Sequence, residues 1–305
     1  MIKSYEKVNY LLRLKKQIER KLIIETFQHL DSIIDIKNYH YFGFGSIYFA
    51  DFIMFHKYLN IHKMTSIDNK PDDEKRFLYN KPFGFINFRL IDCREFLERE
   101  LDWAHNLFIW LDFDTAIDKS IIDIIEYVSA KSKSLDIFLI TTEGESPDKP
   151  ENCQNFIDTF REYVPADLIA KAVKEDFPKT LNSIVKTSIR NGLNRQMGNL
   201  EFLQIFNLVY EDTKKMYTFG AIFCNNDAPN KIRSKLTGLT YIKHDNNIAE
   251  IDCPLITPRE KMCLDACIKK EGMDDLYTKT GLTKEIVDKY RSYYKYYPQF
   301  FESIY

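Results

Sequence analysis

The chain has 305 residues, 45% of them hydrophobic and 29% charged, with a formal net charge of -2. That balance describes a globular protein of one large domain, or a domain with an appendage, and gives no global electrostatic case for nucleic acid. No apolar run approaches the ~20 residues of a membrane span, no export signal follows Met1, and the six scattered cysteines match neither a disulfide framework nor a zinc site, so a cytoplasmic protein with reduced thiols and no membrane or metal is expected.

From about Lys7 to Ile34, Val8, Leu11, Leu12, Ile18, Leu22, Ile23 and Phe27 recur at helical spacing, which predicts an N-terminal helical arm over residues 1–36. Its other side carries Arg13, Lys15, Lys16, Arg20 and Lys21, with Glu19 among them. Two readings stand: a solvated basic face, or an arm over a ligand cleft whose Arg13, Lys16 and Arg20 bind an acidic or phosphorylated substrate.

A first strand is expected at 39–44, running into the turn Gly43-Phe44-Gly45-Ser46. A helix over 47–59, a strand over 63–67 ending in Asp68-Asn69, and a short helix over 71–80 follow. The third strand spans 86–91 and ends in Asp92-Cys93; a helix over 95–100 and a strongly apolar strand over 107–111 lead to Asp112-Phe113-Asp114. A helix over 117–130 and a fifth strand over 137–141 continue the alternation, which argues for a mostly parallel sheet. Helices are expected at 155–163, 167–172 and 181–193. Two β-rich runs, 202–209 and 216–224, enclose a polar turn and predict an antiparallel hairpin.

The pattern changes near Asp227-Ala228-Pro229-Asn230. Domains are therefore drawn at 1–36, 37–226 and 227–305, the last mainly helical. Thr257-Pro258-Arg259-Glu260 is a capping box with proline at the first helical position. Residues 274–280, Gly281-Leu282-Thr283 and 284–296 read as helix, turn, helix.

Strand, glycine turn, helix, strand, acidic residue is the order by which α/β folds bind nucleosides: glycines let the backbone approach the ligand and the carboxylate holds ribose hydroxyls. Four strand ends then converge on one sheet edge. Asp112 and Asp114, two apart, lie on one side of an extended segment and are the candidate catalytic carboxylates. Competing local roles are a helix cap for Asp114 or Asp92 and a turn for Asp68. His40 and His56 read better as structural than as bases.

These residues resemble the class I S-adenosylmethionine-dependent methyltransferase fold over roughly Tyr39 to Cys224: a Rossmann-like sheet closed by a terminal antiparallel hairpin. The resemblance implies S-adenosylmethionine as cofactor, held by Phe42, Gly43, Phe44, Gly45, Ser46, Asp68, Asn69, Asp92 and Cys93, with Asp112 and Asp114 facing the transferred methyl. The stretch from Tyr10 to Lys21, with Phe42-Gly43-Phe44-Gly45-Ser46 and Trp110-Leu111-Asp112-Phe113-Asp114, also resembles a poorly characterised bacterial group labelled O-methyltransferases. That implies an oxygen acceptor of unstated identity.

The sequence departs from the fold family's pattern. Tyr39, His40 and Tyr41 stand where the family has an acidic residue before the glycines, the third glycine is absent, and neither the Pro-Pro-aromatic motif of amino-methylating DNA enzymes nor a Pro-Cys nucleophile occurs. Two other readings therefore stand beside methyl transfer: an inactive module that binds nucleic acid or a partner protein through Arg13, Lys16 and Arg20 or the C-terminal helices, and a nicotinamide-dependent oxidoreductase. Self-association is left open.

Overall fold

The computed structural model describes residues 9, 11–69, 74–166, 177–196, 198–225, 227–268 and 280–299. Eight strands form one sheet: β1 (His40–Gly43), β2 (Lys63–Asp68), β3 (Ile86–Leu90), β4 (Leu107–Asp112), β5 (Ile137–Glu143), β6 (Glu201–Glu211), β7 (Lys215–Cys224) and β8 (Ala249–Ile251). Their order is β3-β2-β1-β4-β5-β7-β6-β8. The first five are parallel, β7 is antiparallel to both β5 and β6, and β8 lies parallel to β6 at the edge. The chain winds outward from β1 to β3, then returns to lay β4 on the other side of β1. The carboxyl ends of β1 and β4 thus flank a topological switch point, where open α/β sheets bind ligands.

Both faces of the sheet are covered, so the central strands are apolar throughout instead of alternating. One face packs Tyr41, Phe108, Trp110 and Leu139 against α1 (Leu14–His29), α2 (Ala50–Leu59) and α8 (Ala228–Leu236). The other packs Phe42, Ile109, Leu111, Phe138 and Ile140 against α4 (Cys93–Arg99), α5 (Lys119–Lys131) and α7 (Phe177–Leu193). Between β2 and β3 lies the short α3 (Glu74–Asn80), and α6 (Pro150–Phe160) precedes α7. α7 presses so close to α5 that a Cβ on Gly192 would lie 2.3 Å from the Glu126 carbonyl oxygen. Only glycine fits there.

Helix boundaries follow local chemistry. Asp118 caps α5 by accepting the Ile121 N–H at 2.9 Å. The predicted capping box starts α9 (Pro258–Cys267), with Thr257 Oγ1 accepting the Glu260 N–H at 3.2 Å and Glu260 accepting the Thr257 N–H at 2.7 Å. Thr283 caps α10 (Lys284–Tyr293).

Several expectations need correcting. α2 begins at Ala50 instead of 47, because Ser46 and Phe49 take left-handed φ values of 43° and 47° and extend the turn. Pro150 at the first helical position starts α6 earlier than the apolar pattern suggests. α8 and β8 were not anticipated; β8 lengthens the sheet and α8 packs into its core beyond residue 226. The helix expected over 167–172, the one expected over 274–280 save its last residue, and the acidic turn at Asp72 and Asp73 lie outside the described residues.

Candidate functional site

A cavity of about 570 Å³ opens at the carboxyl ends of β1, β2, β3 and β4. It gathers the strand-end residues Phe44, Gly45, Ser46, Asp68, Asn69, Asp92, Cys93, Asp112 and Asp114. The turn after β1 is built by close packing. A Cβ on Gly45 would meet Ser66 Oγ at 2.5 Å and Phe49 Cδ1 at 3.0 Å, while the Gly45 N–H donates to Ser66 Oγ at 3.1 Å. Gly43 supports the turn from below, where a Cβ would meet the Trp110 carbonyl oxygen at 2.7 Å. Neither glycine has positive φ; that conformation falls on Ser46 and Phe49.

Phe42 and Gly43, expected to touch the cofactor, are not among the cavity's lining residues. Phe42 is fully buried on the far face and stacks on Phe96, ring centroids 4.8 Å apart. Strand alternation decides this, since neighbouring residues point to opposite faces. Phe44 does reach the cavity and meets Phe113 edge-on at 5.1 Å.

Asp68 ends β2 half-buried, with exposed Asn69 beside it. Asp92 ends the next crossing in two roles: it lines the cavity and caps α4 by accepting the Arg94 N–H at 2.8 Å. Cys93 is buried, and burial pushes its thiol well above the ordinary range, so it is a poor nucleophile. Asp114 is exposed and does not cap α5, since Asp118 does.

The N-terminal helix is the largest correction. Lys16, Glu19 and Arg20 are buried, and α1 packs on the sheet instead of presenting a solvated basic face. Lys16 Nζ lies 2.8 Å from Glu19 Oε2 and 2.8 Å from Asp112 Oδ2. Lys16 is fully buried, so as placed it meets no substrate. Arg13 lies 3.6 Å from Asp212, whose carboxylate also accepts the Lys15 and Lys16 N–H groups and so caps α1 from the β6–β7 turn. Arg20 does line the cavity, but its guanidinium is paired with Asp51.

Asp51, Arg94 and Asp123 also line the cavity and were missed, because they sit on helices and attention to strand ends passes over them. Six carboxylates (Asp51, Asp68, Asp92, Asp112, Asp114 and Asp123) face two guanidinium groups, Arg20 and Arg94. The cavity therefore favours a ligand carrying positive charge. Asp51 stands in the first turn of α2, where a dinucleotide's pyrophosphate would need the helix N-terminus. Its carboxylate opposes the nicotinamide-dependent reading.

His40 lies at the opposite end of β1, bonded to Thr65 Oγ1 at 2.8 Å, and burial lowers its pKa to about 4. His56 Nδ1 bonds the Ile61 carbonyl oxygen at 3.0 Å. Both are structural. Among the C-terminal cations, Lys289 bridges Asp252 and Glu285 at 2.7 Å each, and Arg291 lies 3.6 Å from Asp288. No helix among the described residues is long and apolar enough to cross a membrane.

Residues 8–305 match the profile of a family described as "Putative O-methyltransferase". The chain belongs to that family. Its strand order and closing hairpin are those of the class I methyltransferase fold, and it is a methyltransferase-family enzyme. Among solved structures, Trm1 from Pyrococcus horikoshii, solved with S-adenosyl-L-methionine, is similar at 11% identity and a TM-score of 0.47 over 77% of this chain and 61% of that one. An S-adenosylmethionine-dependent methyltransferase from Mesorhizobium loti is similar at 13% identity and a TM-score of 0.37 over 65% and 97% of the two chains. No curated protein matches the sequence significantly.

Proposed function

We propose that this methyltransferase-family protein uses S-adenosylmethionine to methylate an oxygen of a small acceptor. The observation that carries the reading is the acidic cavity at the β1/β4 switch point, with Gly45, Asp68, Asp92 and Asp112 on its walls. Its volume lies within the roughly 300–1,000 Å³ of small-molecule sites. The cofactor is a cation at both its sulfonium and its amino group, which suits the excess of carboxylates. Bound there, it supplies an electrophilic methyl on a positively charged leaving group.

The chain's own residues divide the remaining work. Asp68 is assigned the ribose hydroxyls, Asp92 with Ile67 and Cys93 the base, and the backbone at Gly45 and Ser46 the methionine end. Asp112, tied to Lys16, orients the acceptor hydroxyl. Asp114 is exposed and has no ion-pair partner among the described residues, so it is the better placed to take the hydroxyl proton. The family description and the absence of the amino-methylation motif both support an oxygen acceptor. A cytoplasmic location belongs to the same reading, supported by six free cysteines.

Calorimetric titration of the full chain with S-adenosylmethionine and S-adenosylhomocysteine tests the proposal. Micromolar binding of both is expected, and Asp68→Ala should weaken it by about 10- to 100-fold, the worth of hydrogen bonds to a charged group. Absence of binding by folded wild-type protein would overturn the cofactor assignment. Unchanged affinity in Asp68→Ala would overturn the ribose assignment alone.

A further inference from the structure

The cluster beneath the β4 end is more elaborate than packing requires. The Lys16 ammonium is fully buried between two carboxylates, Glu19 and Asp112, 2.8 Å from each. Two aromatic faces complete the cage: the Trp110 ring centroid lies 4.4 Å from Nζ and that of Tyr210 5.5 Å. A chain of hydrogen bonds fixes the platform. Trp110 Nε1–H donates to Thr141 Oγ1 at 3.0 Å, Thr141 and Thr218 hydroxyls are joined at 2.8 Å, and Thr218 donates to Glu19. Burial raises the Glu19 carboxyl above its ordinary range while Lys16 pulls it down.

Such a cluster is costly to assemble. Desolvating several charges is only partly offset by their mutual attraction, and apolar replacements often stabilise a fold more. Of its members, Asp112 is the one on the cavity wall; Lys16 and Glu19 do not line it. Lys16 reaches it from outside the strand-end motifs, on a helix whose N-terminus is capped by Asp212 from the β6–β7 turn.

We propose that Lys16 is the positioning residue for Asp112: the ammonium carried by α1 fixes that carboxylate at the cavity wall and cancels its charge there. The N-terminal helix is then a working part of the site. The proposal rests on the methyltransferase reading for the ligands used in its test.

S-Adenosylmethionine carries a positive sulfonium and S-adenosylhomocysteine a neutral thioether, so the ratio of their dissociation constants reports the charge at the methyl-facing wall. Calorimetry on full-length Lys16→Met should shift that ratio by about tenfold in favour of S-adenosylmethionine, as expected of one uncompensated carboxylate at short range. Asp112→Asn should shift it the opposite way. Glu19→Gln removes a negative charge from the same buried cluster but leaves Lys16 on Asp112, so its ratio should move in the direction of Asp112→Asn and by less, opposite to Lys16→Met. A merely structural Lys16 would change stability without changing the ratio. Should Lys16→Met fail to fold, Lys16→Met/Glu19→Gln removes one buried charge of each sign and should shift the ratio in the same direction by less than Lys16→Met. An unchanged ratio in the folded lysine variants, with Asp112→Asn still shifting it, overturns the proposal alone. Binding of neither ligand by folded wild type overturns the methyltransferase reading and the proposal with it.

Discussion

Gly45→Ala tests whether the turn after β1 is set by close approach. Its φ is not positive, so alanine's backbone is tolerated, and reduced freedom of the unfolded chain should favour the variant by about 0.4–1 kcal/mol. Against this, the added Cβ would lie 2.5 Å from Ser66 Oγ, closer than any relaxed contact. Ser66 is fully buried on β2, and turning its hydroxyl aside gives up the bond from the Gly45 N–H. Overpacking of this kind costs about 1–3 kcal/mol, and displacing the turn also weakens the Gly45 N–H bond to Ser66 Oγ, worth about 1 kcal/mol. A net destabilisation of about 1–3 kcal/mol is expected. Ser66→Ala removes the clashing oxygen, at the cost of leaving the Gly45 N–H without that acceptor. In the Ser66→Ala background, adding Gly45→Ala should therefore cost about 1–2 kcal/mol less than in wild type. Urea unfolding of the four proteins measures the cycle. Affinity for S-adenosylhomocysteine should fall several-fold in Gly45→Ala and recover in the double variant. An equal cost in both backgrounds would refute the steric account and leave Ser66 irrelevant to the turn.

Other outcomes follow from single features. Gly192→Ala places a Cβ 2.3 Å from the Glu126 carbonyl oxygen, where backbone must yield, so thermal denaturation should show a loss at the upper end of about 1–3 kcal/mol; a midpoint within a degree of wild type would contradict the close α5–α7 approach. His40 has its pKa lowered to about 4 by burial from an ordinary 6.5. The unfolded chain therefore binds the extra proton between those values, and this contribution to stability is present above pH 6.5 and lost as pH falls toward 4. Relative to His40→Asn, wild type should lose about 3 kcal/mol across that window, and parallel stability profiles of the two proteins would show the shift to be absent. Asp68→Ala should weaken cofactor binding by about 10- to 100-fold while moving the unfolding midpoint by no more than a few degrees, about 1 kcal/mol of stability; a drop of about ten degrees or more with unchanged affinity would mean that Asp68 holds the fold and not the ligand.

The sequence by itself determined whatever depends on neighbours along the chain. Short apolar runs marked β1 to β7 and period-3.6 patterns most helices, Thr257 and Glu260 announced α9, and the strand-end carboxylates Asp68, Asp92, Asp112 and Asp114 were readable because parallel strands bring like ends to one edge. Burial and pairing of charge were decided only by the tertiary structure. Whether the cations of α1 formed a solvated face or an arm over the cleft stayed open along the chain, because Asp212 and Asp51, which pair with Arg13 and Arg20, come from a distant turn and another helix; the Asp212 bond to Lys16 spans 196 residues. For the same reason β8 was invisible: three residues gain strand character from the β6 edge that receives them, not from a pattern of their own. Local propensity proposes elements, but which charges are desolvated depends on which elements meet, and that is settled by packing the whole chain at once.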